Sequence, residues 1–232
     1  MLDLLFGFCL AGLLMSIVFI SALSLGWITV SETFHTSHSL LPFLAPFLVF
    51  VVYNVCVGAF EELLTRGYLI RNLSEGFNSK RIKPRLSILG SWIFISVMFG
   101  LGHLANPNAN IVGFINLVLI GLTFGIGYIL TGELAIPIGL HIGWNFFMGN
   151  VFGFPVSGFK YFSDSVSLVQ ISQNGPDIWT GGKFGPEARL LGLFANILGL
   201  ILIFLWIYNR RKEGFGQFHL PLADYPILNK FN

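Results

Sequence analysis

Six long apolar stretches, separated by short polar segments, make up most of the chain. Each is close to the ~20 apolar residues that a helix needs to cross the hydrocarbon core of a bilayer. The stretches cover residues 4–30, 40–60, 86–103, 111–130, 134–152 and 190–208. The pattern predicts an all-α fold: a polytopic helical membrane protein with a single integral domain over residues 1–232.

Composition agrees with this prediction. Apolar residues make up 54% of the chain and charged residues only 10%, whereas a soluble domain is typically about 25% charged. The formal net charge is +2, and the sequence contains no basic stripe. We therefore expect membrane lipids as neighbours and no nucleic-acid partner.

The basic residues between and after the apolar stretches indicate an orientation. They are Arg71, Lys80, Arg81, Lys83 and Arg85 in one loop, and Arg210, Arg211 and Lys212 after the last stretch. Six spans place both clusters on one side, which the positive-inside rule makes cytoplasmic together with both termini. Residues 153–189 then form an extracytoplasmic loop, and residues 209–232 form a cytoplasmic tail of a multi-pass protein of the cell membrane.

Nearly all ionisable side chains inside the apolar stretches belong to three short motifs. A carboxylate at membrane depth costs several kcal/mol unless it is paired, solvated or neutralised, so these motifs indicate a functional site. Their polar or aromatic members are Glu61, Glu62, Arg66, Phe99, His103, His141 and Asn145.

The first motif separates two glutamate roles. Glu62 and Arg66 are four residues apart, so they share a helix face and are expected to form an ion pair. Glu61 is rotated by about 100° from its neighbour and remains available to a cavity, where it would act as a general base. The alternative is a solvated helix end at the membrane surface.

The other two motifs supply histidine and amide groups. His141 and Asn145 are four residues apart and share a face, where two donors would stabilise an oxyanion. A polar contact between helices explains the same pair equally well. His103 would transfer a proton, bind a metal or form a structural hydrogen bond.

Helix lengths constrain whether the motifs meet. At 1.5 Å per residue, Glu61 lies about 15 Å from Arg71, whereas His103 lies about 27 Å from Arg85. For a shared site, the helix that carries His103 must begin well outside the hydrocarbon, or it must tilt or break.

In order and spacing, the motifs resemble those of a known family. Glu-Glu-x-x-x-Arg, Phe-x-x-x-His and His-x-x-x-Asn occur in succession within residues 60–145. They are similar to the motifs of the CAAX-protease and bacteriocin-processing family of intramembrane proteases, which includes the type II CAAX prenyl endopeptidases. The resemblance extends to residues 181–187, and it implies six to eight spans with the active site in a membrane cavity.

The resemblance implies a role for each motif. Glu61 and His103 would bind and deprotonate the attacking water, and His141 and Asn145 would form the oxyanion hole.

The remaining motif residues would have supporting roles. The resemblance implies that Glu62 and Arg66 support Glu61, and Phe99 is expected to pack beside His103. It also implies a glutamate-dependent hydrolase without a cofactor. Zinc held by glutamate and histidine is the alternative, although the sequence lacks the His-Glu-x-x-His motif.

The sequence therefore predicts an intramembrane endopeptidase that acts on a membrane-associated protein or peptide. One alternative is a non-catalytic immunity or scaffold protein of the same fold. A proton-coupled transporter is another, because buried glutamate and histidine also form proton relays. No sign of the inverted repeats of many transporters is visible in the sequence.

Overall fold

The computed structural model describes residues 1–37, 42–79, 81–211 and 218–220. Most of the predicted cytoplasmic tail, residues 212–217 and 221–232, lies outside the described residues, as do Lys80 and Lys212 of the predicted basic clusters.

Within the described residues, five helices are long and apolar enough to cross a membrane. They are α1 (Leu2–Ser24), a continuous helix from α2 (Leu44–Glu62) through a π-helical segment (Leu63–Ile70) to α3 (Arg71–Phe77), α4 (Pro84–Gly102), α5 (Ile111–Thr131) and α9 (Leu190–Arg211). The predicted polytopic helical membrane fold is confirmed.

A shorter helix occupies the centre of the bundle. Helix α6 (Ala135–Asn145) continues as a π-helical segment (Phe146–Val151). Together they span about 26 Å at 1.5 Å per residue, which is at the short end of what a span requires. Helix α6 packs against α1, α2 and α5, which explains why its side chains are buried on most faces.

Glycines allow α1 and α6 to approach closely. A Cβ on Gly139 would lie 2.1 Å from the carbonyl oxygen of Leu4, and one on Gly7 would lie 2.4 Å from that of Ile136. Small residues at such crossings let helix backbones pack directly in membranes. This contact fixes the position of α6, the helix that carries the third motif.

The second and third predicted spans form a long hairpin. The helix that begins with α2 does not end near Arg71 but continues to Phe77. In the sequence, residues 78–83 lie between this helix and α4. Glu61 therefore lies about 24 Å from the end of its helix, and His103 lies about 28 Å from the start of α4. Because the two lengths are similar, the hairpin places both residues at one level and removes the mismatch expected from the sequence.

The outer segments contain a two-stranded sheet that the sequence analysis did not predict. Strand β1 (Ile28–Thr36) pairs antiparallel with β2 (Val166–Gln173). Residues 28–30 had been assigned to the first span, but β-branched residues in alternation with polar ones favour a strand. The pairing places two predicted extracytoplasmic segments at the same end of the bundle.

The remainder of the 153–189 loop is largely ordered into short elements. They are α7 (Tyr161–Ser165), α8 (Asp177–Thr180) and a 3-10 turn (Pro186–Ala188), while a similar turn (His103–Ala105) follows α4.

Candidate active site

The three sequence motifs line one cavity of about 380 Å³. Glu61 enters it from the end of α2, His103 from the end of α4, and His141 and Asn145 from α6. Phe99 also lines the cavity. The structure thus brings together residues that come from three different helices.

Behind the cavity wall, Glu62 joins two of these helices. Its side chain is fully buried, and its Oε1 accepts hydrogen bonds from Arg66 Nη1 at 2.8 Å and from His141 Nδ1 at 2.7 Å. Arg66 Nη2 donates to the carbonyl oxygen of Gly121 at 3.0 Å. The predicted ion pair is confirmed. Glu62 contacts His141 directly and is connected to Glu61 through that histidine.

Aromatic rings enclose the buried guanidinium. The Cζ atom of Arg66 lies 4.9 Å from the ring centroid of Phe99 and 5.9 Å from that of Phe124. Such cation–π contacts partly replace the water that a buried cation loses. The rings of Phe99 and His103 have centroids 4.7 Å apart, so the predicted packing of Phe99 beside His103 is confirmed.

Glu61 has a different environment from its neighbour. Its side chain is 34% exposed, compared with 0% for Glu62, and its Oε2 lies 3.8 Å from His141 Nε2. One glutamate is therefore held by fixed partners inside the bundle, while the other faces the cavity. A carboxylate with this access is able to contact a bound water or substrate.

The tautomer of His103 follows from its hydrogen bond. Its Nδ1 lies 2.8 Å from the carbonyl oxygen of Phe99. Because a carbonyl oxygen only accepts, Nδ1 carries the proton. In the neutral ring, Nε2 then has the lone pair, which makes His103 an acceptor on the side facing away from its own helix.

His141 and Asn145 lie one helical turn apart on α6, and both side chains line the cavity. Since the Glu62 carboxylate accepts from Nδ1 of His141, Nε2 is able to donate only when the ring is an imidazolium. In that form the ring carries a positive charge between two glutamates. The side chain of Asn145 makes no hydrogen bond to another described residue, so its amide group is available to the cavity.

Other cavity residues were not identified from the sequence. Glu187 lies in the predicted extracytoplasmic loop, yet it lines the cavity together with Trp144 and Ser157. A local signal was present in residues 181–187, which precede the last span. Further polar and aromatic lining residues are Tyr53, Asn54, Asn106, Phe124, Phe159 and Phe162.

The next feature is the arrangement of possible metal ligands. In the described part of the chain, no group of three or more His, Cys, Asp or Glu side chains is arranged to hold a metal ion. Nδ1 of His141 is already bound to Glu62. The cavity-lining side chains of the types that bind metals are Glu61, Glu187, His103 and His141, the last through the ring side opposite Nδ1.

Comparison with known proteins gives one family match. Residues 42–147 match the sequence model of a family described as type II CAAX prenyl endopeptidase Rce1-like. This range contains all three motifs and confirms the resemblance; residues 181–187 lie outside it. Neither a curated protein nor a solved structure matches the chain significantly.

Proposed function

Because residues 42–147, which carry the motifs, match the sequence model of the Rce1-like family of proteases, we propose that this membrane protein is an intramembrane endopeptidase. Its substrate would be a membrane-associated protein or peptide, cleaved in the cavity between α2, α4 and α6. One observation carries the proposal. Glu61 and His103 line the same cavity as His141 and Asn145, so a water activator and an oxyanion stabiliser are available to one peptide bond.

Water activation would use Glu61 and His103. The water is held between the Glu61 carboxylate and the Nε2 lone pair of His103. Glu61 removes one proton as the water oxygen attacks the carbonyl carbon of the substrate. An O–H bond breaks, a C–O bond forms, and the proton remains on Glu61. Such general-base catalysis typically contributes about 10²- to 10⁴-fold.

The tetrahedral intermediate would be stabilised by His141 and Asn145. The amide of Asn145 and the Nε2–H of a charged His141 donate to the oxyanion, and each such donor is commonly worth about 3 kcal/mol in the transition state. Glu62 accepts from the opposite nitrogen of His141, which fixes the ring orientation. Arg66 neutralises Glu62, leaving the charged imidazole to face Glu61 and the substrate.

Breakdown of the intermediate would return the proton. Glu61 transfers it to the amine nitrogen as the C–N bond breaks and the carbonyl reforms. The same residue thus acts first as base and then as acid. Its partial exposure is required for this role, because Glu62 is fully buried and its Oε1 is held by Arg66 and His141.

We propose that the chain uses no metal and no other cofactor. The supporting argument is chemical: the glutamate, two histidines and asparagine already supply a base, an acceptor for water and oxyanion donors. Stoichiometric zinc in active, purified protein, lost with activity on chelation and restored with it, would contradict this proposal.

The proposed setting is the cell membrane, with both termini cytoplasmic. The basic loop between α3 and α4 and the basic residues at the end of α9 support this orientation through the positive-inside rule. The aromatic lining of the cavity favours a substrate segment that is itself apolar and reaches the site with membrane lipid around it.

The function is tested by comparing membranes that contain the wild type, Glu61→Gln or Glu75→Gln at equal abundance. Glu75 pairs with Arg71 away from the cavity, so its substitution is a matched control. Peptide termini are mapped by mass spectrometry. We expect new termini with the wild type and the Glu75 variant only. Identical termini in all three samples would instead favour a non-catalytic immunity or scaffold protein.

A further inference from the structure

Glu187 is a buried carboxylate at the edge of the proposed active site. Glu187 is only 3% exposed. Oε1 accepts a hydrogen bond from Trp144 Nε1 at 2.9 Å, and Oε2 accepts from Ser157 N at 2.8 Å and Ser157 Oγ at 2.7 Å. All three partners are uncharged, and Glu187 forms no ion pair within the described part of the chain.

The donor pattern requires a carboxylate at this position. Indole N–H and backbone N–H groups only donate, so both oxygens of Glu187 must accept. A glutamine has one accepting oxygen and one donating amide NH2 group. It would therefore accept from either Trp144 or Ser157, but not from both. Burial of a charge without a cation is costly, which a purely space-filling role for Glu187 does not explain.

One side of this network leads to the third motif. Trp144 lies on α6 between His141 and Asn145, and it is almost fully buried. Its ring and that of Phe124 have centroids 6.0 Å apart, and the Phe124 ring lies 5.3 Å from that of His141. A hydrogen bond to the Trp144 indole therefore restrains the helical turn that carries both proposed oxyanion donors.

The other side leads to His103. The carbonyl oxygen of Ser157 accepts from Asn106 Nδ2 at 2.9 Å, and the backbone N–H of Asn106 donates to the carbonyl oxygen of His103 at 3.1 Å. Glu187 is thus connected through Ser157 and Asn106 to the turn that positions His103. Asn106, Ser157, Glu187 and Trp144 all line the cavity.

The backbone around Ser157 is held in an unusual conformation. Ser157 has a φ of +48°, and Gly158 follows with a φ of +88°. A Cβ on Gly158 would lie 2.0 Å from the carbonyl oxygen of Pro107, so the segment is pressed against the turn after His103. The two hydrogen bonds from Ser157 to Glu187 hold it there.

We propose that Glu187 is a positioning residue that sets the spacing between His103 and the His141–Asn145 pair. It does so by linking the turn after α4 to α6 across the outer edge of the cavity. This inference rests on the proposed peptidase function. Neither the three motifs nor the family match includes Glu187, which lies beyond residue 147.

The test is Glu187→Gln, with Glu75→Gln as the matched control. We expect kcat to fall about 10- to 100-fold, as small misplacements of reacting groups commonly do, while KM changes by less than about threefold. Amide hydrogen exchange should become faster in residues 103–110 and 153–159. The control should change neither quantity.

A double-mutant cycle with Trp144→Phe tests the connection to α6. Phenylalanine removes the indole N–H, so the glutamine side chain of the Glu187→Gln variant is able to turn its oxygen to Ser157 without leaving a second donor unsatisfied. The loss of kcat on Glu187→Gln should therefore be smaller in the Trp144→Phe background than in the wild type. If Glu187→Gln lowers kcat by the same factor in both backgrounds, the proposed link between Glu187 and α6 is wrong.

The outcomes separate this inference from the function on which it rests. If the wild type cleaves but Glu187→Gln keeps wild-type kcat, the positioning role is overturned, even if exchange becomes faster. If no cleavage is found for the wild type, the peptidase proposal fails. Hydrogen exchange then still decides on the network: unchanged exchange in both segments overturns it, and faster exchange in both supports it.

Discussion

Oε1 of Glu62 and Nδ1 of His141 lie 2.7 Å apart inside the bundle, although 79 residues separate them in the chain. The same oxygen also accepts from Arg66. Two helices are thereby joined by one carboxylate oxygen directly behind the proposed active site. The pairing explains why adjacent glutamates in the sequence occupy such different environments.

Removal of Glu62 should be far more harmful than removal of a peripheral glutamate. Glu62→Ala leaves the buried Arg66 without its counter-charge, and we expect a loss of about 3–5 kcal/mol in the free energy of unfolding. Glu75→Ala breaks a pair in which the glutamate is 12% exposed but the arginine is half exposed, so the arginine stays solvated and the loss should be only about 1–2 kcal/mol. Unfolding of both variants in detergent micelles measures the difference; equal losses would contradict the structural role of Glu62.

His103→Gln should reduce catalysis without unfolding the protein. The described contacts of the ring are with Phe99, through its carbonyl oxygen and its ring, so few interactions depend on it. Loss of the nitrogen that holds the attacking water should misplace this water and lower kcat about 10²-fold. The control is His35→Gln on β1, which should retain wild-type cleavage. A stable His103 variant with wild-type kcat would remove this residue from the mechanism.

Gly139→Ala tests the direct contact between α1 and α6. The added Cβ would overlap the carbonyl oxygen of Leu4 at 2.1 Å, so the helices must separate. We expect a loss of about 1–3 kcal/mol, which is typical of overpacking, together with reduced cleavage. Gly90→Ala on α4 is the control, because its Cβ has no atom within 4 Å and alanine favours a helix by up to about 1 kcal/mol. The prediction is wrong if both substitutions have the same effect on the melting temperature.

The β1–β2 pair should be more stable at low pH. Burial opposes protonation of His35, but hydrogen bonds to Glu32 and to the carbonyl oxygen of Asp164, with the charges of both acids, outweigh it and raise the histidine pKa above 6.5. Both ring nitrogens face acceptors, at 2.6 Å and 2.9 Å, so the folded state favours the charged ring.

The sign of the pH effect follows from this raised pKa. The stabilisation is fully present below the unfolded pKa of about 6.5 and is lost as the pH rises through the higher folded value. Amide exchange of residues 28–36, corrected for its intrinsic rate, should show more protection in the wild type than in His35→Gln near pH 5.5, roughly one unit below that value. The difference should shrink as the pH rises. A constant difference would contradict the assignment.

Much of the candidate site could be predicted because its chemistry is local in the sequence. The four-residue spacing of Glu62 and Arg66 predicts their ion pair, and the rotation between adjacent residues separates Glu61 from it. The contact of Glu62 with His141 is not local. It depends on how α6 packs against α2, and hydrophobic pattern alone does not specify that arrangement.

The missed features also depend on distant contacts. The predicted first span includes the first three residues of strand β1 because Ile28 and Val30 continue an apolar stretch, and the strand's partner lies more than 100 residues away. The sequence does not assign Glu187 to the site because its donors, Trp144 and Ser157, are remote along the chain. The common level of Glu61 and His103 was only a condition for a shared site, since it depends on how far the helix that carries Glu61 extends beyond Arg71.

The long helix from Leu44 to Phe77 couples the chain to the thickness of its membrane. Its 34 residues extend about 50 Å, compared with a hydrocarbon core of about 30 Å. Only the apolar part of this helix lies in the hydrocarbon, and a mismatch between its length and the bilayer is relieved by tilt or by local deformation of the lipid. The depth of Glu61 is then set by the acyl chains around the helix, so vesicles of longer-chain lipids should shift the bond that is cut in a given transmembrane substrate. Lipid composition would select the cleavage position.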